Sequence, residues 1–179
     1  CRFSSPDMIK VCSDFDASCL RNVIFEGPVS IGRLRACTGP SLCDAVLSNV
    51  NVGDGCIIRN VRSRIANADI EDEVIIEDVG AIECTAKTSF GNGLEVSALN
   101  EGGGREFVMT ELSSAQEAYL SVLHRDNGEL CSRLRQMAER FAAKRESDRL
   151  RISKGAEIRH AGRIINANIG EYAKIEGVS

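Results

Sequence analysis

Tryptophan is absent from this 179-residue chain, which carries only two Tyr and six Phe, so few of the large rings that fill a wide globular core are available. Ile, Val, Ala and Gly are plentiful instead, which suits a thin interior. Histidine is scarce too, with two residues. The eight cysteines, Cys1, Cys12, Cys19, Cys37, Cys43, Cys56, Cys84 and Cys131, include no CxxC pair. A zinc site therefore lacks its usual ligand spacing, and the thiols are expected to be reduced and structural rather than bridged. No GxxxxGK[ST] motif is present, which excludes a P-loop. No apolar run approaches a membrane span and no signal-peptide pattern occurs, so the chain is expected to be soluble and cytoplasmic. The net charge of −4 lacks the clustered cationic field that phosphate backbones require, and no nucleic-acid partner is expected.

What is present is a period. Val46, Val52, Ile58, Arg64, Ile70, Ile76 and Ile82 recur every sixth residue, with Arg64 the exception. A second set, Cys56, Ala68, Val74, Gly80 and Ala86, follows four places behind and is broken at Arg62. This spacing fits neither a helix nor an alternating strand. It is the mark of a parallel β-helix of hexapeptide repeats, an all-β solenoid in which three hexads make a coil of roughly 18 residues. Val52 should then stack on Ile70, Ile58 on Ile76 and Asn49 on Asn67, with Arg59 against Glu77 in an exposed ion pair contributing about 0–1 kcal/mol. Arg64 cannot be buried with an unpaired charge, so a register slip placing Ile65 inward is expected.

Residues 1–22 lack the pattern and read as an N-terminal cap, and residues 23–106 read as β-helix. Hexads return weakly at Leu94 and Ala98. Residues 107–151 read as an inserted αα-hairpin: Ser113 and Gln116 form a capping-box pattern, Leu112, Ala115, Tyr119, Val122 and Leu123 make one apolar stripe, and Asn127-Gly128 separates this helix from a second bearing Leu130, Leu134, Met137, Ala138 and Phe141. The hexads resume over residues 152–179 at Ile152, Ile158 and Ile164. The stretch from Ile158 to Ile169 echoes that from Ile58 to Ile70 and implies one solenoid continuing across the hairpin. The chain starts without Met and stops within a hexad, which reads as a fragment of a longer protein.

Ile65-Ala66-Asn67 ahead of Val74-Ile75-Ile76-Glu77-Asp78-Val79-Gly80, Phe90-Gly91-Asn92-Gly93-Leu94-Glu95-Val96, and Leu99-Asn100-Glu101-Gly102-Gly103-Gly104-Arg105-Glu106 together resemble a family of large bacterial hexapeptide-repeat proteins catalogued as a domain of unknown function. The resemblance implies a left-handed coil, relation to the trimeric acyltransferase-like group, and hence a homo-oligomer, with a trimer expected. The fold and the Gly-rich Arg/Glu stretch from Asn100 to Glu106, rather than family membership, lead to the first functional reading, a transferase acting on sugar or nucleotide-linked substrates, with a sugar phosphate or nucleotide sugar as ligand. The competing reading is a non-catalytic scaffold or oligomerisation module. Two departures stand out: Arg64 where the family pattern leads one to expect His, and Glu71 where a hexad commonly has Gly.

The candidate binding stretch is Asn100, Glu101, Gly102, Gly103, Gly104, Arg105 and Glu106. Its glycines could cradle an anion while Arg105 pairs with phosphate or carboxylate. The alternative is that it merely turns the chain into the hairpin. Glu101, His124 and His160 are the candidate acid–base residues. Against them stand a helix-capping role for His124 and an ordinary exposed position for His160. Six acids crowd into Asp69, Glu71, Asp72, Glu73, Glu77 and Asp78. They could bind a hard cation, but a solvated surface is the expected reading, so no metal is assigned. No cofactor is indicated. Arg125 to Arg151 carries eight basic and five acidic residues, a face that could meet an acidic partner or simply be solvated.

Overall fold

The computed structural model describes residues 1–34, 39–97, 102–103 and 106–178. Two compact units are present, one made of residues 1–86 and 148–179, the other of residues 87–147. The first is a parallel β-sheet of twelve strands among the described residues, curled into a half-barrel and compatible with a β-helix-like fold.

Three columns of apolar side chains, aliphatic except for Phe25, hold this unit together. In one, Leu42 pairs with Ile58, Ile58 with Ile76, Ile76 with Ile158, and Ile158 with Ile175. A second runs Phe25, Leu47, Ile65, Ile82, Ile164. The third runs Ile31, Val52, Ile70, Ile152, Ile169. All but the terminal Ile164 and Ile175 are buried. At about 1.5–3 kcal/mol for each fully buried aliphatic side chain, these columns supply the principal drive for folding. The expected stacking of Val52 on Ile70 and of Ile58 on Ile76 is observed.

Register differs from the hexad reading at two places. Val46 is only half-buried, and Leu47 takes the inward position. On the next paired strand Ile65, paired with Leu47, is fully buried in place of Arg64. The slip expected at Arg64 thus begins one strand earlier, where two adjacent aliphatic residues conceal it. Of the small set, Cys56, Ala68 and Val74 are buried, but Ala86 is exposed and the inward residue beside Gly80 is Val79. Gly80 instead lies where a Cβ would collide with the Gly162 backbone, so glycine there permits close approach of the two chain segments.

The corners explain the recurring Asn and Asp. Asn22, Asp44, Asn60, Asp78 and His160 all have φ between 51° and 56°. Each immediately follows a member of the paired series Arg21, Cys43, Arg59, Glu77, Arg159. Asn and Asp tolerate this left-handed conformation better than other side-chain-bearing residues. Their side chains also bond along the column: Asn22 Nδ2 donates to Asp44 Oδ1 at 2.9 Å and Asn60 Nδ2 to Asp78 Oδ1 at 3.0 Å. At another corner Asn49 Nδ2 donates to Asn67 Oδ1 at 2.8 Å across 18 residues, the expected ladder.

The second unit contains an antiparallel strand pair, Leu94–Val96 with Phe107–Met109, and two helices, α1 (Ala115–Leu123) and α2 (Gly128–Arg145). Leu94 therefore does not return to the hexad ladder, and it is exposed. The α1 cap is Ser114, whose Oγ accepts from Glu117 N, one residue beyond the Ser113/Gln116 box. Ser113 instead has its Oγ accepting from Thr110 N. Asn127 caps α2 by accepting from Leu130 N, as its position implied. Thr88 and Ser147 bond reciprocally at the base of the unit, at 2.9 and 3.0 Å. Among the described residues no helix is long and apolar enough to cross a membrane. The described cysteines, Cys1, Cys12, Cys19, Cys43, Cys56, Cys84 and Cys131, are all free.

Candidate functional site

In the first unit, many of the clustered charges pair with one another. The acids Asp69 to Asp78, which looked like an acidic patch, face basic residues that arrive some 80 positions later. Arg151 lies 3.4 Å from Glu71, Lys154 3.7 Å from Glu73, and Arg159 against Glu77. Arg59 also reaches Glu77, at 3.6 Å, in a pair that is largely shielded rather than exposed. His160 Nδ1 is 3.4 Å from Asp78. Asp72 Oδ1 accepts the Asp54 N–H at 2.7 Å. Glu71, in the ladder position held by Gly32 and Gly53 on earlier strands, accepts the Lys154 N–H at 2.9 Å. No metal-holding cluster occurs among the described residues.

Three arginines complete the arrangement. Arg149 donates through Nε and Nη2 to Asp69, through Nη1 to Asn49 O and Oδ1, and through Nη2 to Ala68 O, at 2.7–3.2 Å. Burial would raise the Asp69 carboxyl, but the hydrogen bonds from Arg149 and Asn51 outweigh it and hold the group below its ordinary range. At the slipped corner Arg64 donates twice to Glu83 Oε2, at 3.0 and 2.9 Å, and Arg163 to Oε1 at 3.0 Å. Those bonds, from Arg64 first and then Arg163, depress the Glu83 carboxyl. The register slip therefore has a purpose for Arg64: its stem stays outside and its fork closes on a buried acid.

The second unit holds a concavity of about 170 Å³. One wall is the segment Glu106, Phe107 and Val108. The others come from α1, with Glu117, Ser121 and the following Arg125, and from α2, with Cys131, Ser132 and Arg135. Gly93, at φ +84°, brings its backbone against α2, where a Cβ would lie 2.9 Å from Ala142 Cβ. Asn92, buried, accepts the Glu111 N–H at 2.7 Å and so fixes the approach to α1. Arg135 pairs with Glu95 at 2.6 Å, an interaction that pushes its pKa up. The Cys131 thiol donates to His124 O at 3.5 Å, satisfying a carbonyl at the α1 terminus. Arg125 and Glu117 have no side-chain partner among the described residues.

Of the sequence candidates, Asn100, Glu101, Gly104 and Arg105 lie outside the described residues. Gly103 has φ +71°, with a hypothetical Cβ 3.7 Å from Glu106 Oε1, and Glu106 lines the cleft. Gly102 occupies the turn before it. His124 is the α1 C-cap, its N–H bonded to Leu120 O, while His160 sits at a corner of the other unit. Sequence reading missed Glu117, Arg125 and Arg149. No local motif announces them, because their neighbours come from distant segments.

An uncharacterized protein of Treponema pallidum (strain Nichols) is 28% identical over 150 residues, covering 73% of this chain and 21% of that protein, so the chain spans about a fifth of the curated relative's length. No solved structure matches the chain. A family model described as "Domain of unknown function (DUF4954)" matches residues 1–179, and the chain belongs to that family.

Proposed function

We propose that this chain is an assembly module: a closed, left-handed hexapeptide coil carrying a helical insertion that associates with further copies of the same chain. The observation that supports this reading is the uncovered apolar surface of the insertion. Helix α1 buries none of its side chains, and Leu112, Tyr119, Leu120, Val122, Leu123 and Met137 are all exposed. Apolar side chains left uncovered in such number are costly in water and favour association. Closed point-group association covers it without generating fibres, in keeping with the trimer implied by the family resemblance. Sedimentation velocity over a wide concentration range tests this. The wild type should sediment as an oligomer and Leu123→Glu with Tyr119→Asp as a monomer; a wild-type monomer throughout would end the proposal.

A transferase acting on a sugar or nucleotide-linked substrate is the second reading, favoured by the polar cleft beside Glu106. Its test is turnover of nucleotide-sugar and acyl donors by the full-length protein, with loss of activity in Glu106→Gln.

A further inference from the structure

We infer that the cleft of the second unit binds a small zwitterion, with the anionic head on Arg125 and the ammonium on Glu117. This goes beyond the assembly reading and does not depend on it.

The contrast between the two units carries the argument. A depression in the first unit is also rich in charge, lined by Arg33, Asp54, Asp72, Glu73 and Lys154. There Arg33 pairs with Asp14, Lys154 with Glu73, and the aspartates accept backbone N–H groups. The charged side chains of that surface therefore already have partners on the protein. In the second unit's cleft, Arg125 and Glu117 keep their charges uncommitted among the described residues, while the neighbouring Arg135 is already neutralised by Glu95. Among the described residues, a cation and an anion without side-chain partners, Arg125 and Glu117, thus line the same concavity.

The neutral lining agrees. Ser121 Oγ gives its proton to Glu117 O and is left as an acceptor, whereas Ser132 Oγ accepts from Gln136 and is left as a donor. Phe107 and Val108 supply an apolar surface between the charged groups. The volume of about 170 Å³ is below the roughly 300–1,000 Å³ of drug-sized pockets. It suits a molecule, or the portion of a larger ligand, of amino-acid or amino-sugar phosphate size. Either a phosphate or a carboxylate can fill the anionic position, since a guanidinium recognises both.

The test is calorimetric titration of the intact chain at low salt with O-phosphoethanolamine and with β-alanine, against inorganic phosphate and ethanolamine alone. At least one zwitterion should bind at least about tenfold more tightly than either single-charge fragment, and the better of the two identifies the head group. Arg125→Ala and Glu117→Gln should each weaken that binding roughly tenfold, the loss of one charge-assisted contact, with the melting temperature unchanged. The inference is overturned if neither zwitterion binds better than the fragments. It is equally overturned if both variants, shown folded by their melts, bind as the wild type does. Self-association is read separately by sedimentation, so failure of either idea leaves the other intact.

Discussion

Glu83 shows how one residue can settle a local conflict. A hexad position held by Arg64 would bury a charge; sliding the chain by one residue puts Ile65 inside and gives Arg64 a buried acid to bind. Because the Glu83 carboxyl is depressed in the folded state, its contribution is fully present above the ordinary glutamate value of 4.5 and is lost as pH falls through the lower folded value. Glu83→Gln should therefore flatten the acid limb of the stability profile below about pH 4.5, measured by urea melts from pH 3 to 7. An unchanged limb would mean that the two arginines contribute nothing. Cys56 gives the opposite case, a thiol whose burial pushes its pKa up to about 11. It should stay unlabelled by iodoacetamide at pH 8 under native conditions while exposed Cys1 reacts, as mass spectrometry of digests would reveal.

The first unit's elements were largely legible in the sequence because a six-residue period fixes which side chain faces inward. Ile58, Ile70, Ile76, Ile152 and Ile158 are all buried as that period implies. Where the pattern gave two aliphatic neighbours, Val46 and Leu47, spacing could not choose between them, and the structure selects the second. The capping residue of α1 was misplaced by one for a similar reason, Ser113 and Ser114 being chemically equivalent. The cleft was not legible at all, since it forms only when α1 and α2 fold back on the Phe107–Met109 strand. Arg149 was equally silent in sequence, as its partners Asn49 and Asp69 lie 100 and 80 residues away. It uses its entire guanidinium at the point where the chain rejoins the ladder. Arg149→Ala should cost about 1–3 kcal/mol, and Arg149→Lys should not recover it, because a point charge cannot reproduce the fork. Equilibrium denaturation of both variants measures this.

For the molecule as a whole, the main finding is that the ladder ignores the insertion. Ile70 pairs with Ile152, Ile76 with Ile158 and Ile82 with Ile164, just as Val52 pairs with Ile70 and Ile58 with Ile76. The paired acids and bases, Asp69 to Glu83 against Arg149 to Arg163, enforce that register, since a slip of one residue would misalign them all. With the insertion's two ends joined at Thr88 and Ser147, replacing residues 89–146 by a short Gly-Ser turn should leave a folded β-rich protein, judged by a cooperative melt in circular dichroism. Native-state hydrogen exchange on the intact chain gives the most direct test, read at the amides of Glu71, Ile75 and Gly80, which donate to Ile152 O, Ala156 O and Ala161 O at 2.9 Å. If the returning segment is the next layer of the same ladder, these three amides exchange only through global unfolding. Exchange as fast as that of the exposed turn at Asn127 would contradict it.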